Sequence, residues 1–210
     1  MAVFIMGMSY SASSTVLLLV DVLNDFLDEN GKLASSIGPM IEKTNLRAQL
    51  QRLLEGARKS GIKVFYVPHG FHEHSFDGVK HVLPRWQLAL QNKVFWIGEW
   101  GAEFYEPLRP QEGEVIITRH RSFNAFEGTD LHEQLRIANV ENIVLAGLTS
   151  NTCIQVTGTQ ALESGFHVTY IADAVAEFDE AVHMVALEVS YPAFGHEVST
   201  VDEFLNSITR

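Results

Sequence analysis

Runs of apolar, β-branched residues alternate with stretches whose apolar positions recur every three or four residues. Residues 15–20 read Thr-Val-Leu-Leu-Leu-Val, a continuous apolar run of the kind expected for a strand buried on both faces, and Asp21 closes it. Leu46, Leu50, Leu53, Leu54 and Ala57 follow at helical spacing, with Gly61 as the stop signal. The same reading predicts a second strand at 64–67, closed by Pro68, and a third at 115–118. A helix carrying Leu131, Leu135 and Ala138 begins near Thr129 or Asp130, and a fourth strand occupies 143–146. A helix over about 151–164, ending at Gly165, leads to a fifth strand at 168–171, followed by Asp173. Val182, Val185, Ala186 and Val189 outline another helix, and a sixth strand at 197–200 precedes a short terminal helix.

This alternation predicts an α/β protein: a three-layer α/β/α, Rossmann-like arrangement around a mainly parallel sheet of about six strands. Ligands of such sheets bind beyond the carboxyl ends of the strands. Asp21, His69, Arg119 and Cys153 all follow predicted strand ends, so residues far apart in sequence can meet there.

The segment 69–112 breaks the pattern. It is irregular and rich in aromatic residues, among them Phe71, Trp86, Phe95, Trp96, Trp100 and Phe104. Long connections often carry binding function. Two readings fit equally: a lid over a site, or aromatics packed on the domain or on a second subunit.

Composition narrows the classes. The chain has 210 residues, 46% of them hydrophobic, with Pro and Gly scattered rather than gathered into a linker, so a single domain over 1–210 is expected. A net charge of −11 argues against a nucleic-acid partner. One cysteine cannot form an intrachain disulfide, which favours a reducing compartment. The apolar stretch at 1–8 is short, and no Lys or Arg precedes Lys32 to supply the basic region of a signal peptide. No segment reaches membrane-spanning length without charge. The expectation is a cytoplasmic protein with neither membrane nor nucleic-acid partners.

That single cysteine, Cys153, sits at a strand-to-helix junction. First-turn amides and the positive end of a helix macrodipole lower a thiol pKa and favour the thiolate, so Cys153 is the candidate nucleophile. The competing reading is a buried structural cysteine.

Three motifs carry a more specific message. Leu18-Leu19-Val20-Asp21-Val22-Leu23-Asn24-Asp25-Phe26, Asn124-Ala125-Phe126-Glu127-Gly128-Thr129-Asp130-Leu131 and Gly147-Leu148-Thr149-Ser150-Asn151-Thr152-Cys153 resemble, in order, the opening, mid-chain and nucleophile motifs of the isochorismatase-like cysteine hydrolase superfamily. Asp173-Ala174 also fits, and the likeness spans roughly residues 15–178. The resemblance implies an Asp-Lys-Cys catalytic triad, with Asp21 as general base and Cys153 as nucleophile. It also implies a cis peptide between Leu148 and Thr149 and an oxyanion hole made by the N–H groups of Thr149 and Cys153.

The family lysine has no counterpart, because no lysine follows Lys93. Counting from the third strand puts Arg119 in its place; counting back from Asn124 puts His120 there; a pairing with a longer loop puts Thr118 there. Arg119 is the preferred occupant, since it keeps a permanent cation beside Asp21, although its planar fork is no equivalent of an ammonium. Phe26, His69, His72, Trp100, His120 and Phe126 are the expected substrate-pocket residues. His69, His72 and His74 cluster, but they lack the Asp-x-His pattern of nicotinamidase-like relatives, so neither a metal nor another cofactor is expected.

The reaction these resemblances imply is hydrolysis of a C–N bond in a small amide or carbamoyl compound through a thioester. The alternatives are vinyl-ether hydrolysis with Cys153 as a bystander, and a catalytically weakened binding scaffold. Relatives often associate, so a homo-oligomer, dimer or tetramer, is a further expectation.

Overall fold

In a computed structural model, residues 8–209 are described, so most of the apolar stretch at 1–8 and the last residue of the expected 1–210 domain lie outside the described residues. A short strand, Tyr10–Ser11 (β1), precedes the central strand Thr15–Val20 (β2), which is buried at every position. Helices Asn24–Leu27 (α1), Ala34–Lys43 (α2) and Leu46–Ser60 (α3) lead to strand Lys63–Val67 (β3). The aromatic segment that follows contains helix Pro84–Gln91 (α4) and two short 3₁₀ turns, Trp100–Ala102 and Glu106–Leu108, before strand Val115–Ile116 (β4). Helix Leu131–Ile137 (α5) and strand Asn142–Leu148 (β5) come next. A π-helical turn, Ser150–Ile154, runs into helix Gln155–Glu163 (α6), and strand His167–Ala176 (β6) follows. Helix Glu180–Val185 (α7), a second π turn at Ala186–Ser190 and helix Tyr191–Phe194 (α8) lead to strand Glu197–Ser199 (β7). Helix Val201–Asn206 (α9) and strand Ile208–Thr209 (β8) close the described chain.

Six strands form one sheet in the order β4-β3-β2-β5-β6-β7, every pairing parallel; β1 and β8 pair separately, also parallel. The pleat sorts β2 between two cores. Leu17 and Leu19 face the layer of Leu50, Leu53 and Leu54 on α3. Val16, Leu18 and Val20 face Leu131 and Leu135 on α5 and Ala161 on α6. That period of two, on a strand covered on both sides, is why the run reads as apolar throughout. Burying a leucine-sized side chain contributes roughly 1.5–3 kcal/mol, so β2 is a main anchor of both layers.

Strand order reverses between β2 and β5: chain direction carries β2, β3 and β4 one way and β5, β6 and β7 the other. A crevice opens outside the carboxyl ends of strands at such a point. Gly147 makes the close approach there: with φ at +119°, any Cβ on it would lie 2.0 Å from the Val20 carbonyl oxygen. No described helix is long and apolar enough to cross a membrane.

Several elements differ locally from the sequence-based expectation. The third strand shortens to Val115–Ile116, beyond which Ile117 and His120 still bond to the β3 side through Tyr66 O and Pro68 O. The Cys153 helix begins as a π turn, and the helix expected around Val182–Val189 is split by another.

Candidate active site

Asp21 follows β2 directly, with φ at +56°, a left-handed conformation that Asp tolerates better than most residues. Its N–H bonds to Val67 O and its carbonyl accepts from Leu23 N–H, which fixes the turn. Asn24 and Asp25, in the same motif, hold the aromatic segment in place. Asn24 donates to Trp100 O, and the buried Asp25 carboxylate accepts from the N–H groups of Lys32 and Phe95.

His120 Nε2 lies 2.9 Å from Asp21 Oδ1, with both side chains wholly buried. The other ring nitrogen, Nδ1, is 2.6 Å from Ser122 O. With Asp21 ionised, carbonyl and carboxylate both only accept, and a ring that serves both donates from both nitrogens, as an imidazolium. Burial opposes that charge, but Asp21 and nearby carbonyls outweigh it and hold the ring above the ordinary histidine value. Burial likewise opposes ionisation of Asp21, yet the charge and hydrogen bond of His120 bring its carboxyl below the ordinary range.

The cation beside Asp21 is therefore His120, and the expected placement of Arg119 is corrected. His120 N–H bonds to Pro68 O and Gly70 N–H bonds to His120 O, which registers His120 opposite His69 on one face. Adjacent residues on an extended chain point to opposite faces. Arg119 consequently turns away and donates to His69 O and Ala102 O, each at 2.7 Å. Thr118 is exposed, and its N–H bonds to Asp130 Oδ1.

Cys153 is buried in the π turn. The cis peptide between Leu148 and Thr149 is present. Thr149 and Thr152 share a hydroxyl–hydroxyl hydrogen bond of 2.6 Å. The lowered thiol pKa expected from a helix N-terminus is not found. Burial and then the Asp21 charge push the thiol well above its ordinary value, and hydrogen bonds from Thr152 and the Thr149 backbone offset only part of this. The resting group is a thiol beside an ionised carboxylate.

Donor atoms of Asp21, His120 and Cys153 lie within 4.8 Å of one another, the one mixed cluster at metal-ligand separations among the described residues. Both nitrogens of His120 are already committed to acceptors, which suits proton chemistry better than ligation. His69, His72 and His74 do not converge: His69 is buried, while His72 and His74 are exposed.

A cavity of about 550 Å³ reaches Cys153 and Thr149. Of the expected pocket residues, Phe26 and His69 line it. Four others do not. His72 opens onto a separate recess with Arg119, Trp100 is an exposed turn residue, Phe126 packs beneath the sheet, and His120 lies behind the wall. Lining residues missed from sequence include Phe71, Trp86, Phe95, Phe123, Glu177 and Phe178. Four of those lie in the aromatic segment or the mid-chain loop, whose richness in rings was the available signal. Glu177 had none: its Oε2 accepts from Asn151 N–H and its Oε1 from Phe178 N–H, clamping the nucleophile turn to the end of β6.

Known proteins are similar to this chain in fold and sequence. Ureidoacrylate amidohydrolase RutB of Serratia proteamaculans (strain 568) is 24% identical, the alignment covering 96% of this chain and 86% of that protein. A cysteine hydrolase from Pseudomonas syringae pv. phaseolicola 1448A superposes with a TM-score of 0.81 at 23% identity, over 95% of this chain and 94% of that one. N-carbamoylsarcosine amidase from Thermoplasma acidophilum gives a TM-score of 0.71 at 25% identity, over 90% of this chain and 98% of that one. The isochorismatase domain profile matches residues 15–203, nearly the whole length, and the chain belongs to that hydrolase family.

Proposed function

We propose that this protein hydrolyses a C–N bond of a small amide or carbamoyl compound, with Cys153 as nucleophile, Asp21 as general base and acid, and His120 as the cation that holds Asp21 ionised. One observation carries the reading: Asp21 is bonded to His120 on one oxygen and lies within 4.8 Å of the only cysteine, which lines a cavity. Two relatives point the same way by name, one an amidohydrolase of ureidoacrylate and the other an amidase of N-carbamoylsarcosine.

The chemistry follows from those protonation states. Asp21 Oδ2 accepts from no nitrogen or oxygen donor among the described residues, and the Cys153 thiol, like His120, interacts with the carboxylate, so it can pass its proton there. Proton transfer and sulfur attack on the carbonyl carbon occur together, because an isolated thiolate is disfavoured in this site. The carbonyl oxygen becomes an oxyanion, received by the N–H groups of Thr149 and Cys153. Asp21 returns its proton to the nitrogen, the C–N bond breaks, and ammonia or an amine leaves. A water then gives a proton to Asp21 and attacks the thioester, releasing the acid and restoring the thiol. His120 stays protonated throughout and limits the cost of shuttling charge on Asp21.

The test is ammonia release from a panel of primary amides and carbamoyl compounds, with intact-mass detection of an acyl adduct on Cys153. Turnover that vanishes in Cys153→Ala supports the reading. Undiminished turnover in that variant, or none on any member of the panel, refutes it.

A further inference from the structure

We infer that the cavity selects amides whose body is a flat apolar ring, an inference that deepens the reading of this site as an amide hydrolase and rests on it. Rings of Phe26, Phe71, Trp86, Phe95, Phe123 and Phe178 line the cavity that reaches Cys153, with Leu33, Leu88, Ala89 and Val94 adding further apolar surface. They are mutually braced. Phe26 lies 4.7 Å from Phe95 and 6.1 Å from Phe178, while Trp86 stacks on Phe76 at 5.2 Å and sits 5.1 Å from Phe123. Residues from α1, α4, the mid-chain loop and the end of β6 thus hold these rings in a fixed frame, suited to offset or edge contacts with another ring.

The charged groups on this wall are mostly spoken for. Lys32 is paired with Glu99, and both oxygens of Glu177 accept backbone N–H groups. Arg85 meets no carboxylate among the described residues, but it is exposed on α4 and rests over the Phe123 ring. An exposed cation of that kind tolerates an anionic group at the rim and contributes little to binding. At the Cys153 end the Thr149 and Thr152 hydroxyls bond each other, and His69 is held neutral: burial, then the neighbouring His120 charge, bring its pKa down to about 3. Discrimination therefore falls to apolar contact. A small, wholly polar amide leaves the rings facing water, whereas a benzamide- or phenylacetamide-like molecule covers them and places its carbonyl carbon at Cys153.

The experiment pairs turnover with binding. In wild-type protein, kcat/KM for phenylacetamide and benzamide is compared with that for size-matched polar amides such as malonamate and glutarate monoamide. Binding of the same compounds to Cys153→Ala is followed by calorimetry, which needs no chemistry. The expected result is a preference of at least roughly tenfold for the aromatic members in both measurements, within the range that apolar pockets achieve. Trp86→Ala should lower that preference by about tenfold, chiefly through KM, and Trp86→Leu should restore part of it if the effect is apolar contact rather than misfolding. Thermal melts of both variants check the fold. Cys153-dependent turnover with equal or better use of the polar amides overturns the substrate class and leaves the hydrolase reading standing. Tight aromatic binding to Cys153→Ala without turnover of any amide by the wild type upholds the pocket assignment and refutes the hydrolase reading.

Discussion

His120 donates to Asp21 across 2.9 Å with neither side chain reaching solvent, and this pair sets the charge of the whole site. Removing one partner of such a pair strands the other. His120→Ala should cost about 3–5 kcal/mol of stability, because a buried carboxylate loses its counter-charge. It should also lower kcat by at least about 100-fold, as Asp21 takes up a proton and can no longer accept one from sulfur. His120→Lys keeps a cation and should recover more activity than His120→Ala. Urea unfolding alongside kcat measurements checks both; equal activity in the two variants would show that charge is not what His120 provides.

Asp21→Asn separates proton transfer from thiol acidity. The Asp21 charge is the second cause, after burial, that raises the Cys153 thiol. Neutralising it should increase the thiolate fraction and speed alkylation of the free protein at pH 8. Turnover should nevertheless fall by at least about 100-fold, because the base is gone. Iodoacetamide labelling followed by mass spectrometry, set beside kcat, tests this opposition. Slower labelling in Asp21→Asn would contradict the electrostatics described for the site.

The strand ends and the nucleophile motif were readable from sequence because each depends on a short local pattern: the apolar run at 15–20, the glycine before Thr149, and the lone cysteine. The choice between Arg119 and His120 was not. It is set by pairing of His120 with Pro68 and Gly70, a non-local bond pattern that a shortened third strand conceals. A slip of one residue exchanges faces, so a residue count alone could not decide it. The thiol pKa was not legible for a related reason. Macrodipole arguments use local sequence, whereas desolvation depends on what tertiary structure places over the sulfur. The cavity wall was half legible, as a segment rich in rings but without the contacts that select Phe71, Trp86 and Phe95 over Trp100.

Stability should fall on the acid side sooner than the carboxylates alone would dictate. His69 is buried and its folded-state pKa is brought down to about 3, by burial first. The unfolded chain takes a proton there near pH 6.5 while the folded one resists it, so stability declines as pH falls from about 6.5 toward 3. The loss should reach about 2–3 kcal/mol by pH 4.5. Asp21 works differently. Its folded pKa is lowered, so its contribution is complete above the ordinary carboxylate range and is lost only as pH falls through the depressed value. His120, raised, contributes fully below about pH 6.5 and loses that contribution as pH climbs through its folded value. Urea midpoints at pH 7 and 4.5 should therefore differ less in His69→Phe, whose ring keeps the packing against Phe71 and Phe95. An unchanged difference would mean that His69 is not the titrating group.

Arg119 offers the sharpest contrast between sequence and structure. Its guanidinium bridges His69 O and Ala102 O, tying the segment after β3 to the 3₁₀ turn at Trp100–Ala102 and so to the loop that Asp25 and Asn24 also hold. Arg119→Ala removes two charge-assisted hydrogen bonds and leaves two part-buried carbonyls without a donor, a loss of about 2–4 kcal/mol. Arg119→Lys should recover only part of this, since an ammonium lacks the planar fork that reaches both carbonyls. Turnover should fall by less than about tenfold in either variant, because the guanidinium is bonded to two carbonyls rather than to Asp21, which it reaches only through charge, and acts mainly through loop position. Comparing Arg119→Ala with His120→Ala in urea and in steady-state kinetics gives the discriminating measurement. Loss of stability with modest kinetic change at 119, against loss of both at 120, follows from the pleat. A large kcat loss at 119 with stability intact would return the catalytic cation to arginine.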